Sequence, residues 1–198
     1  PQVSILATGS ELVPAGEPVG PGQIANSNGP MLCGLVTQAG GCPHDLGIGR
    51  DDPAELRRGM ASGLEADVLI MSGGVSTGDH DFVPHVLQEL GVQPVLHRVR
   101  LKPGKPFWFG VAERGDRQKL VFGLPGNPVS CLVCFELFVR PALGALGGNP
   151  TAVCGGRPIA WPIRSSTGAI DRLTTRHACG TRGASCESSR WPGRGRPI

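Results

Sequence analysis

Short apolar runs alternate with helix-period segments over residues 1–146 of the chain. Val3-Ser4-Ile5-Leu6-Ala7 and Val68-Leu69-Ile70-Met71 read as buried strands, since brief apolar runs bounded by turn residues suit a strand covered on both faces. Leu46-Gly47-Ile48 is a shorter strand, and Val92–Val99 is another. Phe107–Val111 and Lys119–Phe122 form a pair around a polar loop from Glu113 to Gln118. Four helices fall between and after these runs. The segment Gly29–Ala39 puts Met31, Leu32, Leu35 and Val36 on one face, and Leu56, Met60 and Leu64 repeat at i+4 spacing. Pro84–Leu90 is a short helix, and a long one runs from Pro128 to about Leu146 with Leu132, Val133, Phe135, Leu137, Phe138 and Val139. This alternation predicts an α/β fold of three layers, with a mostly parallel, doubly wound sheet.

The helix ends carry their own signals. Asn26-Ser27-Asn28 offers several N-cap residues for the first helix, and Gly40-Gly41 stops it. Asp52, Pro53 and Glu55 read as cap, first helical residue and third residue of a capping box. Asn127 can cap the long helix and Pro128 can open it. Backbone donors at that helix start are expected to favour an anion.

Candidate chemistry sits where strands end. Val68–Met71 runs into Ser72-Gly73-Gly74-Val75-Ser76-Thr77-Gly78, with Asp79, His80 and Asp81 directly after. Glycine lets a ligand approach the main chain closely, and open α/β sheets bind ligands beyond the carboxyl ends of their strands. Small residues followed by acids suit an oxyanion-bearing ligand with a metal; a plain strand-to-helix turn with Asp81 as cap is the alternative. The first strand ends in a similar turn, Thr8-Gly9-Ser10-Glu11. Leu101-Lys102-Pro103-Gly104-Lys105-Pro106 is a rigid basic turn, and Gly123-Leu124-Pro125-Gly126-Asn127-Pro128 leads into the last helix. His80, His85 and His97 have no ligand partner at a recognisable spacing.

Charge divides the chain. Residues 1–150 hold 11 Lys+Arg against 14 Asp+Glu, whereas residues 151–198 hold 8 Arg, no Lys and 2 acids. Only six of those last 48 residues are Val, Ile, Leu, Met or Phe, too few to offset the entropy of ordering them. The expectation is a folded domain over residues 1–147 and a largely disordered, non-globular tail over 148–198. Without aromatic interleaving the Arg-rich tail is not read as a nucleic-acid arm. The seven cysteines include the pair Cys131-x-x-Cys134, which lies in an apolar helical run and reads as core. No signal peptide is evident, and no apolar run reads as long enough to span a bilayer. The expectation is a piece of a longer cytoplasmic chain with neither a membrane nor a nucleic-acid partner.

Residues 3–146 closely resemble the molybdenum cofactor biosynthesis domain of the molybdopterin molybdenumtransferases, the MoeA and gephyrin E-domain family. The matching segments are Ala7–Leu12, Pro21–Asn28, Gly47–Pro53, Ser72–Gly78 with Asp81, Lys102–Pro106 and Leu124–Ser130, in family order. The resemblance implies a MogA-like, molybdopterin-binding fold and an enzyme that inserts molybdate into adenylylated molybdopterin, releasing AMP with the help of Mg2+. It implies catalytic roles for Glu11, Asp51 (or its neighbour Asp52) and Asp81, with Glu11 and Asp81 as metal ligands. It implies substrate and phosphate binding by Thr8, Gly9, Ser72, Gly73, Gly74, Ser76, Lys102, Lys105, Pro125, Gly126, Asn127 and Pro128. A homodimer is implied for the full-length protein. Two departures stand out: Ser10 replaces an acid usual in the family, and the family's small C-terminal β domain is not recognisable here. Two other functions are weighed, a MogA-like molybdopterin adenylyltransferase and a non-enzymatic, gephyrin-like scaffold. The Val13–Gln23 loop and the Lys102–Pro106 turn favour the molybdenum-inserting enzyme.

Overall fold

Parallel pairing of buried strands organises the molecule. The computed structural model describes residues 1–74, 82–115 and 117–148. Ser76, Asp79, His80 and Asp81 lie outside the described residues, as does the tail from residue 149 onward. Strand β1 (Gln2–Thr8) is followed by the two-residue strands β2 (Leu12–Val13) and β3 (Ile24–Ala25), helix α1 (Asn28–Gln38) and β4 (Cys42–Gly49). Helix α2 (Pro53–Gly63), β5 (Val68–Ser72), α3 (Phe82–Glu89) and β6 (Val92–His97) come next. Strands β7 (Trp108–Arg114) and β8 (Arg117–Leu124) lead to α4 (Pro128–Cys134), a π-helical turn (Phe135–Val139) and α5 (Arg140–Leu146).

The main sheet has six strands in the order β4-β1-β5-β8-β7-β6. Strands β4, β1, β5 and β8 are mutually parallel, and β7 runs antiparallel between β8 and β6. The mostly parallel, three-layer architecture is therefore the one the alternation predicts. Strand β5 is buried along its whole length, as its unbroken apolar run requires. Its side chains alternate between two cores. Val68 and Ile70 pack with Leu32 and Val36 of α1 and with Cys131, Phe135 and Val139 of the last helix. Leu69 and Met71 pack with Leu56 and Met60 of α2 and Val86 and Leu87 of α3.

Several expectations need correction. Strand β4 runs from Cys42 to Gly49, well beyond Leu46–Ile48. It is an edge strand, half solvated, so Pro43, His44 and Asp45 hide it from any hydrophobic pattern. The Val13–Gln23 loop is flanked by the parallel pair β2–β3, which is too short to leave a periodic signal. Helix α3 begins at Phe82, ahead of the expected Pro84. The long helix is interrupted by the π turn Phe135–Val139. The expectation that no run could span a bilayer also fails on length. Pro128–Leu146 has 19 residues and a mean hydropathy of 1.7. Here that apolarity serves the core: Cys131, Cys134, Phe135, Val139, Ala142 and Leu143 are buried against the sheet.

Candidate functional site

Four parallel strands end level with one another, because their registers place Thr8 beside Gly49, Ala7 beside Ser72 and Ser72 beside Leu124. Their following loops are stitched together by continuing the ladder. The Gly9 amide donates to the Gly49 carbonyl at 3.1 Å, and the Gly73 amide donates to the Leu124 carbonyl at 3.0 Å. The Thr8 hydroxyl donates to the Ser72 carbonyl at 3.4 Å. Thr8, Gly9, Ser72, Gly73, Gly74, Pro125, Gly126 and Asn127 are thereby gathered along one sheet edge.

Close packing of backbones explains the glycines. Gly73 has φ +90°, and a Cβ there would sit 2.5 Å from the Thr8 carbonyl oxygen. A Cβ on Gly126 would lie 3.6 Å from the Gly73 Cα, so the loops after β5 and β8 are neighbours. The backbone N–H groups of Gly74, Gly126 and Asn127 have no acceptor among the described residues. Three such donors on two neighbouring loops suit an oxyanion.

The helix beyond behaves differently from expectation. Asn127 caps α4 with its own side chain, accepting from the Val129 amide at 3.1 Å and the Ser130 amide at 3.2 Å. The Cys131 amide bonds the Asn127 carbonyl at 2.9 Å, and Pro128 has no N–H. The amides at the α4 start are committed to the cap, so the free donors belong to the loop before it.

Acids gather at the other end of the row. Ser10 and Asp51 exchange two hydrogen bonds: the Ser10 amide donates to Asp51 Oδ2 at 3.0 Å, and the Asp51 amide donates to Ser10 Oγ at 3.1 Å. The Ser10 hydroxyl thus serves as the acceptor for the Asp51 amide. The exposed Glu11 folds back over Gly9, where a Cβ would meet Glu11 Oε2 at 2.5 Å. Asp52 is the N-cap of α2, accepting from the Glu55 amide at 2.8 Å. Glu55 reaches back to the Arg50 amide at 3.1 Å, two residues earlier than a capping box would place it. Among the described residues no three His, Cys, Asp or Glu side chains converge as a metal cluster.

The basic turn stands further along the edge. Strand β6 is parallel to β8 through two antiparallel pairings, so residues 98–107 leave the sheet at the site's edge. Two strand spacings put that loop about 10 Å from β8. It is closed by the Arg98 amide on the Phe107 carbonyl at 2.8 Å, and Lys102 and Lys105 are exposed.

One residue escaped the sequence reading except as a cap candidate. Asn28 does not cap α1. Its Nδ2 donates to the Gly126 carbonyl at 2.9 Å, holding the loop 98 residues away, while Asn26 Oδ1 accepts from the Gly29 amide at 3.0 Å. Asn28 Oδ1 and the Ser72 hydroxyl are buried without partners. A contact across that separation leaves no local signal. Arg50, inside the segment Gly47–Pro53, likewise carries no local signal of its own.

Residues 4–145 match a family model described as a probable molybdopterin binding domain. Two curated relatives carry the name molybdopterin molybdenumtransferase. The one from Nostoc is 39% identical over 166 residues, covering 83% of this chain and 37% of the relative. The one from Bacillus subtilis is 41% identical over 160 residues, covering 78% of this chain and 36% of the relative. The chain thus spans about a third of their length. A solved molybdopterin biosynthesis moeA protein from Pyrococcus horikosii superposes with a TM-score of 0.66 at 38% identity, covering 75% of this chain and 36% of that one. MoaB from Pyrococcus furiosus, a tungsten cofactor synthesizing protein, superposes with a TM-score of 0.54 at 14% identity, covering 75% of this chain and 96% of that one; this likeness concerns the fold alone.

Proposed function

The chain belongs to the family of probable molybdopterin binding domains, and on that premise we propose that it works in molybdenum cofactor biosynthesis as the substrate-binding domain of a molybdenum-inserting transferase. The reaction is insertion of molybdate into adenylylated molybdopterin with release of AMP. The observation that carries this reading is the free N–H set of Gly74, Gly126 and Asn127 on the same row of strand ends as the acids Glu11 and Asp51. The adenylate phosphates sit on those amides, which stabilise charge growing on the departing AMP. Lys102 and Lys105 add positive potential from the next loop.

Carboxylate oxygens suit a hard cation, and magnesium commonly uses one or two carboxylates together with substrate phosphates. The described residues fit that habit: Glu11 and Asp51 are exposed on adjoining loops and no fuller protein cage exists among them. Glu11 would hold Mg2+ with Asp81 as the further acid, and the ion would neutralise phosphate charge. Asp51 is anchored by Ser10 through Oδ2, and its Oδ1 has no hydrogen-bond partner among the described residues.

Calorimetric titration of the 198-residue chain with AMP, with and without Mg2+, tests the reading. Binding is expected, with Glu11→Gln weakening the Mg2+-dependent part by about tenfold, or ~1.4 kcal/mol. Failure of the parent chain to bind AMP at millimolar concentration would remove the proposal. Release of pyrophosphate from ATP on addition of molybdopterin would favour adenylyl transfer instead.

A further inference from the structure

A cavity of about 530 Å³ adjoins the acidic end of the loop row, beside edge strand β4. That volume lies within the range of small-molecule sites. Leu12, Pro14, Pro30 and Ile48 give it apolar walls, and Asp45 and Arg50 are its charged residues. Asp45 lies within β4 and Arg50 directly follows its last residue, Gly49. They stand five positions apart, at most about 16 Å of extended chain. The pairing with β1 steps from Ile5–Asp45 to Ala7–Ile48, so three residues of β4 advance against two of β1. This irregularity reverses the side-chain alternation between the two positions, and it lets an odd separation place both on one cavity.

Neither charge is neutralised. The Arg50 guanidinium has no ion-pair or hydrogen-bond partner among the described residues, although its backbone is pinned by Glu55. Asp45 Oδ1 accepts from the Gly47 amide at 2.8 Å, which fixes the carboxylate and leaves Oδ2 open. Apolar walls with one carboxylate and one guanidinium suit a planar heterocycle that has an N–H edge and an acceptor edge. A carboxylate accepts from adjacent N–H groups, and a guanidinium forks onto a neighbouring carbonyl oxygen and ring nitrogen, as it does on guanine.

We propose that this cavity binds the pterin ring of the substrate, with Asp45 reading the 2-amino and N3–H edge and Arg50 reading the O4 and N5 edge. The inference rests on the molybdopterin reading above and adds two specificity residues to it. Asp51, next in sequence to Arg50, then lies where the ring's substituent leaves toward the phosphate loops.

Fluorescence titration of the full chain with free pterin, lumazine and GMP tests the assignment. Lumazine carries an oxo group in place of the 2-amino group and lacks that donor. The parent is expected to bind pterin at least about tenfold more tightly than lumazine, a typical discrimination for one bidentate pair. Asp45→Asn should abolish the preference, and Arg50→Ala should weaken both ligands while circular dichroism stays unchanged. Equal binding of pterin by parent, Asp45→Asn and Arg50→Ala would overturn the assignment while leaving AMP binding, and the proposed function, intact. Tighter binding of GMP than of pterin would make the cavity a guanine-nucleotide site and overturn it too. Absence of both pterin and AMP binding by the parent would remove both proposals.

Discussion

Gly73 shows how little freedom the site residues have. Its φ of +90° and the 2.5 Å approach of a Cβ to the Thr8 carbonyl exclude any side chain without backbone movement. Gly73→Ala is expected to lose about 2–3 kcal/mol of stability, seen as a lower urea midpoint. It should also lower AMP affinity, because the shift separates Gly74 from Gly126. A variant as stable as the parent would mean that the two loops are not tightly packed. At this scale the sequence was legible by residue type: glycines and acids at strand ends pointed to loops that the fold sets side by side. Partners were not legible. Ser10 answers Asp51, and Asn28 answers Gly126, only because the fold brings residues 41 and 98 positions apart together.

Among the elements, the long apolar helix tests the division between cap and ligand. Asn127 Oδ1 accepts from two α4 amides, so Asn127→Ala is expected to cost about 1 kcal/mol in chemical denaturation. AMP affinity should stay within about twofold, since the Asn127 N–H survives and truncation frees the Val129 and Ser130 amides. A large loss of affinity with unchanged stability would assign the side chain to the ligand instead. Element type was readable from periodicity and from Asn-Pro and Asp-Pro starts. Element length was not: edge strand β4 carries Pro43, His44 and Asp45, and its extent follows from pairing with β1. The π turn at Phe135–Val139 coincides with Phe138 stacked on Phe107, 4.2 Å between ring centres, and with the Glu136–Arg140 pair at 2.6 Å.

For the whole molecule, the core sets an alkaline limit. Burial, and then the neighbouring Cys134, pushes the Cys131 thiol up to about 12; burial pushes Cys134 up to about 11. Unfolded thiols ionise near pH ~8.5. Between that pH and the folded values the native state holds more protons than the unfolded state, so stability falls as pH rises. Below pH ~8.5 the contribution is fully present. Urea midpoints should drop between pH 8 and 10.5 in the parent and drop less steeply in Cys131→Ala. Parallel declines in the two proteins would exclude the thiol as the cause. The cysteine pair was read as core from its apolar setting, and its burial in the cluster with Phe135 and Val139 agrees.

What the sequence determined by itself was the set of local choices: buried runs for β1 and β5, the caps Asp52 and Asn127, and small residues where strands end. Those depend on nearest neighbours along the chain, whose steric and hydrogen-bonding preferences are written in residue type. Tertiary structure alone decided which loops touch, which amides remain unspent and where charges go unpaired. The α4 amides, expected to meet an anion, are used by Asn127, and the donors left over are those of Gly74, Gly126 and Asn127. Arg50 and Asp45 became cavity partners only through the register shift between β1 and β4. Pairing between strands distant in sequence sets these outcomes, and a one-residue change of register would reverse every side chain that follows it.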